Sequence, residues 1–291
     1  MTDSITLHNA ASDRAIISLF GGQVLNWFTR NGGEQLYLSP HAPAPGKAIR
    51  GGVPVCFPQF ANWGTLVKHG FARTALWSLE GSILSGQSVE RAHARLRLRE
   101  TAATLAVWPH PFELLLDVGL STDALELTLT VVNTGNTTFQ FTAALHSYFS
   151  TDDVRRVALT GLEQTTYLDA TDGNIACEPD NKAIMVDAEF DRIYNAAPSQ
   201  LQLLANDLPA LRITQSGFGD CVVWNPGAEK AAALGDMPAN DWTSMFCIEA
   251  AQIEHAVRLA PGEEWIGSQR ITSLAAANNG ADAAPTSVEL R

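Results

Sequence analysis

The chain has 291 residues, 46% of them hydrophobic, which is enough for a large core, and 31 acidic against 19 basic residues give a formal charge of −12. That balance, with no basic block anywhere, argues against nucleic acid and anionic membrane surfaces as partners. A length of this order suits two domains or one large β unit, and the strand pattern below favours a single domain over residues 1–274.

The first residues, Met1 to Leu7, carry neither a basic region nor an apolar stretch of signal-peptide type. No apolar run reaches the ~20 residues needed to span a bilayer. The four cysteines, Cys56, Cys177, Cys221 and Cys247, are far apart and lack C-x-x-C spacing. They are expected to be reduced thiols of a cytoplasmic protein, neither zinc ligands nor a disulfide framework.

Period-two alternation dominates from there on. Residues 15–19, 23–28 and 75–80 read as short strands. In the next strand Ala94, Leu96 and Leu98 alternate with Arg95, Arg97 and Arg99, and charges at alternate strand positions read as a solvated face. Residues 112–118 follow, then Leu125, Leu127, Leu129 and Val131 alternating with Glu126, Thr128 and Thr130. Further strands are expected at 139–145, 211–215, 221–224 and 265–272, with Asn31-Gly-Gly33 and Pro261-Gly-Glu263 as turns. Only residues 228–236 read as helical. Many strands without βα alternation leave an all-β sandwich or barrel. Residues 275–291, rich in Ala, Asn, Gly and Pro, are expected to form a mobile tail.

One stretch stands apart. Arg50-Gly-Gly-Val-Pro-Val-Cys-Phe-Pro-Gln-Phe60, continuing to Lys68-His-Gly-Phe-Ala-Arg73, sets cations and a histidine among glycines, prolines and large apolar side chains. Such a mixture suits a rigid site wall, or equally a rigid loop with solvated charges. In an acidic chain, the grouping of Arg50, Lys68 and Arg73 would concentrate positive charge for an anion. Farther on, His146 ends the alternating strand in Leu145-His-Ser-Tyr-Phe149. Glu249 lies in Met245-Phe-Cys-Ile-Glu-Ala-Ala251, a run otherwise too apolar for a wet surface. A buried carboxylate needs a partner or a chemical role, so Glu249 is either a paired core residue or part of a site.

These segments, with Asp191-Arg-Ile-Tyr194 and Val223-Trp-Asn-Pro-Gly227, occur in an order that resembles the hexose-6-phosphate mutarotase branch of the aldose 1-epimerase family. The resemblance runs from Arg50 to Ala251. It selects a large two-sheet antiparallel β-sandwich of the galactose mutarotase-like type, and it implies interconversion of the α and β anomers of a hexose 6-phosphate, with glucose 6-phosphate the expected substrate. Such a reaction needs a base to take the anomeric hydroxyl proton and an acid to protonate the ring oxygen. By resemblance Glu249 is the base and His146 the acid, His69 and Asp191 bind sugar hydroxyls or the ring oxygen, and Arg50 and Arg73 hold the phosphate. Lys68 departs from the family's commoner glutamine, keeping a donor but losing an acceptor. Trp224 fits either a sugar-facing ring or the core. No cofactor and no metal are implied, and the expected protein is a cytoplasmic monomer. A non-catalytic carbohydrate-binding sandwich and an epimerase of unphosphorylated aldoses such as galactose are the competing readings.

Overall fold

Alternating burial builds the sheets. In the strand Ala92–Arg99, Ala92, Ala94, Leu96 and Leu98 are buried, and the arginines between them face outward. There they meet carboxylates on neighbouring strands: Arg95 with Asp117 at 2.8 Å, Arg97 with Glu80, and Arg99 with Glu113 at 2.5 Å. The wet face expected from the sequence is therefore a lattice of ion pairs. In the antiparallel pair Phe112–Ser121 and Ala124–Asn133 the buried leucines and valines fall opposite one another and close the same inner layer. Each such fully buried side chain contributes roughly 1.5 to 3 kcal/mol.

The structure is a computed structural model and describes residues 4–274; the tail expected at 275–291 lies outside the described residues. Three sheets are present among them, and every pairing between strands is antiparallel. One eight-stranded sheet runs Val157–Thr160, Gln200–Ala205, Leu208–Ser216, Glu264–Ser273, Ala124–Asn133, Phe112–Ser121, Ala92–Arg99, Ser78–Leu84. The other runs Ile175–Cys177, Tyr167–Asp169, Phe190–Tyr194, Asp220–Asn225, Met245–Leu259, Phe139–Leu145, Val55–Cys56, with Tyr148–Ser150 also paired to Met245–Leu259. A four-stranded sheet from Ser4 to Glu34 completes the set.

The two large sheets share one apolar core, to which Leu96, Leu114 and Leu129 come from one side and Phe141, Val223, Phe246 and Ile248 from the other. Phe141 packs on Trp265 across it, with ring centroids 5.6 Å apart. This is the two-sheet sandwich expected from the sequence, and the four-stranded sheet is an addition to it.

Three local expectations change. The strand expected at 75–80 begins only at Ser78, because Ala72–Thr74 forms a 3-10 turn and Trp77 is buried with its indole N–H donated to the Ala72 carbonyl at 3.0 Å. A second short helix, Ala102–Val107, escaped the sequence reading; Thr101 caps it, accepting from the Thr104 N–H. Finally, the apolar run at 245–251 belongs to a fifteen-residue strand, Met245–Leu259, whose first half is buried on both faces. Phe246, Ile248 and Ala250 enter the inter-sheet core, whereas Met245, Cys247 and Ala251 join a second cluster on the outer face of the same sheet. Glu249, odd-numbered like them, faces that outer side.

Candidate active site

The same parity carries other side chains to that face. Register sets Glu249 opposite Val222, which sits opposite Ile193; one row along, Cys247 lies opposite Trp224 and Trp224 opposite Asp191. Asp191 therefore shares a face with Glu249, while Arg192 points the other way, to Asp180 at 2.5 Å.

The stretch from Arg50 supplies the wall next to these rows. Gly52 has φ +62, and a Cβ there would fall 2.1 Å from the Val24 carbonyl, so only glycine lets the chain lie against that strand. Held in this way, the segment positions the next motif through its carbonyls: His146 N–H donates to Pro54 at 2.9 Å and Tyr148 N–H to Gly52 at 2.9 Å. The His146 ring stacks on Tyr148, centroids 4.7 Å apart with 6° between planes, and meets His69 and Trp224 edge-on. Tyr148 in turn accepts from Arg50 Nη1 at 2.9 Å. From the opposite sheet Gln269, fully buried, accepts the Ser147 hydroxyl at 2.5 Å and donates to the Ile248 carbonyl at 3.1 Å. One amide thus ties together the neighbours of His146 and Glu249.

These walls enclose a cavity of about 400 Å³, a size usual for small-molecule sites. All seven candidate residues, Arg50, Lys68, His69, Arg73, His146, Asp191 and Glu249, line it. His146 Nδ1 lies 3.3 Å from Glu249 Oε1, yet without hydrogen-bond geometry: Nδ1 and Glu249 Oε2 are both buried without a partner among the described residues. Burial pushes the Glu249 carboxyl well above the usual range, with Asp191 adding to the effect and Lys68 and Arg73 opposing it. Burial likewise pushes His146 well below its ordinary value, and the nearby cations reinforce this.

His69 adopts φ +64, a left-handed conformation unusual for a non-glycine residue, which is the kind of local strain that clusters at functional sites. Its Nδ1 takes the Ala61 N–H at 3.3 Å and faces the Cys56 thiol at 3.3 Å, so the ring proton belongs on Nε2. Burial and the surrounding cations hold His69 down to about 2, and it is a neutral donor throughout the working range. Asp191 is pushed up to about 6 by burial, against the pull of Lys230 and Lys68. Lys68 is exposed where it lines the cavity.

The two arginines differ. Arg50 is held by Asp236 at 2.8 Å and lies over Trp224, its carbon 5.8 Å from the ring centre. Arg73 donates one Nη2 bond to the Lys68 carbonyl at 2.7 Å, and its Nε has no acceptor among the described residues. Several residues here escaped the sequence reading. Lys230, paired to Glu189 at 2.7 Å, lines the cavity, as do Asn62, Trp63 and Asn174. Tyr148 lies within the Leu145–Phe149 motif, but its contact with Arg50, like the Asp236 partner, depends on long-range register that no local pattern carries. Cys247, set aside as a plain thiol, stands with His146 and Glu249, ligand atoms within 4.8 Å of one another.

The profile of the family described as aldose 1-epimerase matches residues 3–272. A protein of Cenchrus ciliaris provisionally named glucose-6-phosphate 1-epimerase is 37% identical over 279 residues, covering 94% of this chain and 85% of its own. An Escherichia coli K12 protein with the same provisional name is 31% identical over 244 residues, covering 82% and 79%. The crystal structure of a provisionally assigned mutarotase from Salmonella typhimurium superposes with a TM-score of 0.81 at 26% identity, covering 89% of this chain and 86% of that one.

Proposed function

The chain belongs to the aldose 1-epimerase family, and on that premise we propose that it interconverts the α and β anomers of a hexose 6-phosphate, in the first place glucose 6-phosphate. Glu249 is the general base and His146 the general acid. The observation that carries this reading is the approach of His146 Nδ1 to Glu249 Oε1, 3.3 Å, on one wall of a cation-lined cavity. In anomerisation the hydroxyl that loses a proton and the ring oxygen that gains one are bonded to the same carbon. An acid and a base can serve both only if they stand close together, as these two do.

The reaction runs as follows. Glu249 carboxylate takes the proton of the anomeric hydroxyl as His146 imidazolium gives one to the ring oxygen; the ring C–O bond breaks and an open-chain aldehyde forms. Rotation about the adjacent C–C bond presents the other carbonyl face, and as the ring recloses neutral His146 takes the proton of the attacking hydroxyl while the Glu249 carboxyl gives its proton to the carbonyl oxygen. The pair therefore works with one proton shared between its members. Burial pushes Glu249 up and His146 down, favouring the protonated carboxyl and the neutral imidazole, whereas the reactive arrangement is the imidazolium–carboxylate counterpart. His69 donates through Nε2 to a sugar oxygen, and Asp191 orients another hydroxyl.

Arg50 and Arg73, joined by Lys68, take the phosphate. Guanidinium forks match phosphate oxygens, and the provisional names of the Cenchrus ciliaris and Escherichia coli relatives support a phosphosugar. We place the protein in the cytoplasm as a monomer with no nucleic-acid or membrane partner; among the described residues no helix is long and apolar enough to cross a membrane. The deciding experiment is NMR exchange between the two anomers of glucose 6-phosphate with and without the protein. Acceleration is expected, and exchange at the spontaneous rate would leave only a sugar-binding module.

A further inference from the structure

Proton transfer as described leaves Cys247 unused. Its thiol lies two residues before Glu249 on the same strand face, and Cys247, His146 and Glu249, all buried, each offer a ligand atom within 4.8 Å of the others. Two of these groups arrive with an unpaired atom, His146 Nδ1 and Glu249 Oε2, and Cys247 makes no side-chain hydrogen bond among the described residues. Nitrogen, thiolate sulfur and carboxylate oxygen together are the donor set of Zn²⁺. Bonds of about 2.0 to 2.3 Å in tetrahedral arrangement need donors roughly 3.3 to 3.8 Å apart, so closing from the present spacing takes about an ångström of side-chain adjustment. Magnesium and calcium, which demand all-oxygen shells, do not fit.

We infer that His146, Cys247 and Glu249 form a chelating site for Zn²⁺, or an equally thiophilic divalent ion, and that this ion inhibits by seizing the acid and base. On binding, the ion displaces the thiol proton of Cys247 and the single proton of the His146–Glu249 pair, which leave to solvent, and the resulting thiolate and carboxylate match its two charges. Arg50, Lys68 and Arg73 oppose a cation here and Asp191 favours one. Both His146 and Glu249 line the cavity, so an ion held between them stands where the anomeric carbon's oxygens must go, and metal and sugar exclude each other. Inhibition rests on the proton-transfer assignment above; binding does not. The inference departs, for Cys247, from the expectation that the cysteines are no zinc ligands; a separation of 101 residues in sequence gives no sign that it meets His146.

The test begins with Co²⁺ in a Cys177→Ala background, which removes the half-buried thiol. A thiolate-to-Co²⁺ charge-transfer band is expected at one equivalent, to be displaced by Zn²⁺ and by glucose 6-phosphate. Cys247→Ala should abolish the band and weaken Zn²⁺ by at least about tenfold, since even outer-shell changes cost 10 to 100-fold in metal affinity. Anomer exchange should be inhibited by Zn²⁺ competitively with substrate, and a strong chelator should restore it in full. Absence of the band, its persistence in Cys247→Ala, or a band indifferent to glucose 6-phosphate would overturn the site. Should Cys247→Ala fold poorly, sugar displacement of Co²⁺ from the parent protein decides alone. A protein that shows the band but no anomer exchange would sink the proposed reaction and leave the metal site standing.

Discussion

Glu249 and His146 each sit where burial disfavours the charged form that the proposed reaction needs, so substitution tests chemistry more than stability. Glu249→Gln keeps shape while removing basicity, and His146→Asn removes the acid. Each is expected to slow anomer exchange by ~100 to 10,000-fold, the range for a positioned acid or base, with unfolding temperature nearly unchanged. Near-native exchange in either folded variant would show that the pair is misassigned. Asp191 makes the opposite trade. Its carboxyl is raised from 3.8 to about 6, so the folded protein binds this proton more tightly than the unfolded chain does. The corresponding stability is whole below the unfolded value and is lost as pH rises through about 6. Asn at this position is neutral at every pH. Asp191→Asn is therefore expected to be more stable than the parent at pH 8, by at most about 3 kcal/mol, with the gain shrinking toward pH 4, while binding the sugar less well. Thermal melts across that range check it, and a gain independent of pH would remove the carboxyl as its cause.

Strand register, not any one residue, brings the site together, and this sets how much of it could be read beforehand. Alternation exposed the wet-faced strands such as Ala92–Arg99 at once. It failed for Met245–Leu259, because a strand buried on both faces has no polar half to mark its period, and the one charge in its inner half, Glu249, was the signal that remained. The seven residues carried by motif resemblance share one cavity, but Cys247, Lys230 and Asp236 enter only through pairings between distant strands and loops. Ala102–Val107 was missed since six residues hold too little periodicity to stand out. Gln269 belongs to the same class of hidden residue: on the opposite sheet it holds both Ser147 and Ile248, the chain neighbours of His146 and Glu249. Gln269→Met keeps the volume but strands a buried hydroxyl and a buried carbonyl, at about 1 to 3 kcal/mol each. If the amide also aligns the pair, kcat should fall in the folded variant while KM for glucose 6-phosphate holds within a few fold. A destabilised variant with native kcat would make Gln269 structural only.

Across the whole molecule the charge is −12, yet the cavity gathers Arg50, Lys68, Arg73 and Lys230, so a dianionic substrate is repelled by the surface and captured by a local field. Each charge-assisted hydrogen bond contributes roughly 1.5 to 3 kcal/mol, and Arg73→Ala is expected to lower kcat/KM for glucose 6-phosphate by about 10 to 100-fold while exchange of free glucose stays within a few fold. Arg50→Ala should show the same selectivity with a smaller loss, because Asp236 already occupies one edge of that guanidinium. Equal losses on both sugars would make the arginines structural and reopen the choice between phosphosugar and neutral sugar. The same cations act on the proton-transfer pair, since Lys68 and Arg73 lower the proton affinity of both Glu249 and His146. A bound phosphate offsets them, so the pair keeps its single proton to higher pH in the complex than in the free protein. The alkaline limb of kcat should therefore lie above that of kcat/KM for glucose 6-phosphate, the two profiles reporting complex and free enzyme respectively. For free glucose, which brings no phosphate, the two limbs should coincide, and in Arg73→Ala the separation seen with glucose 6-phosphate should narrow. A separation equally wide for both sugars would mean that the shift comes from closing off water around the pair and not from phosphate charge.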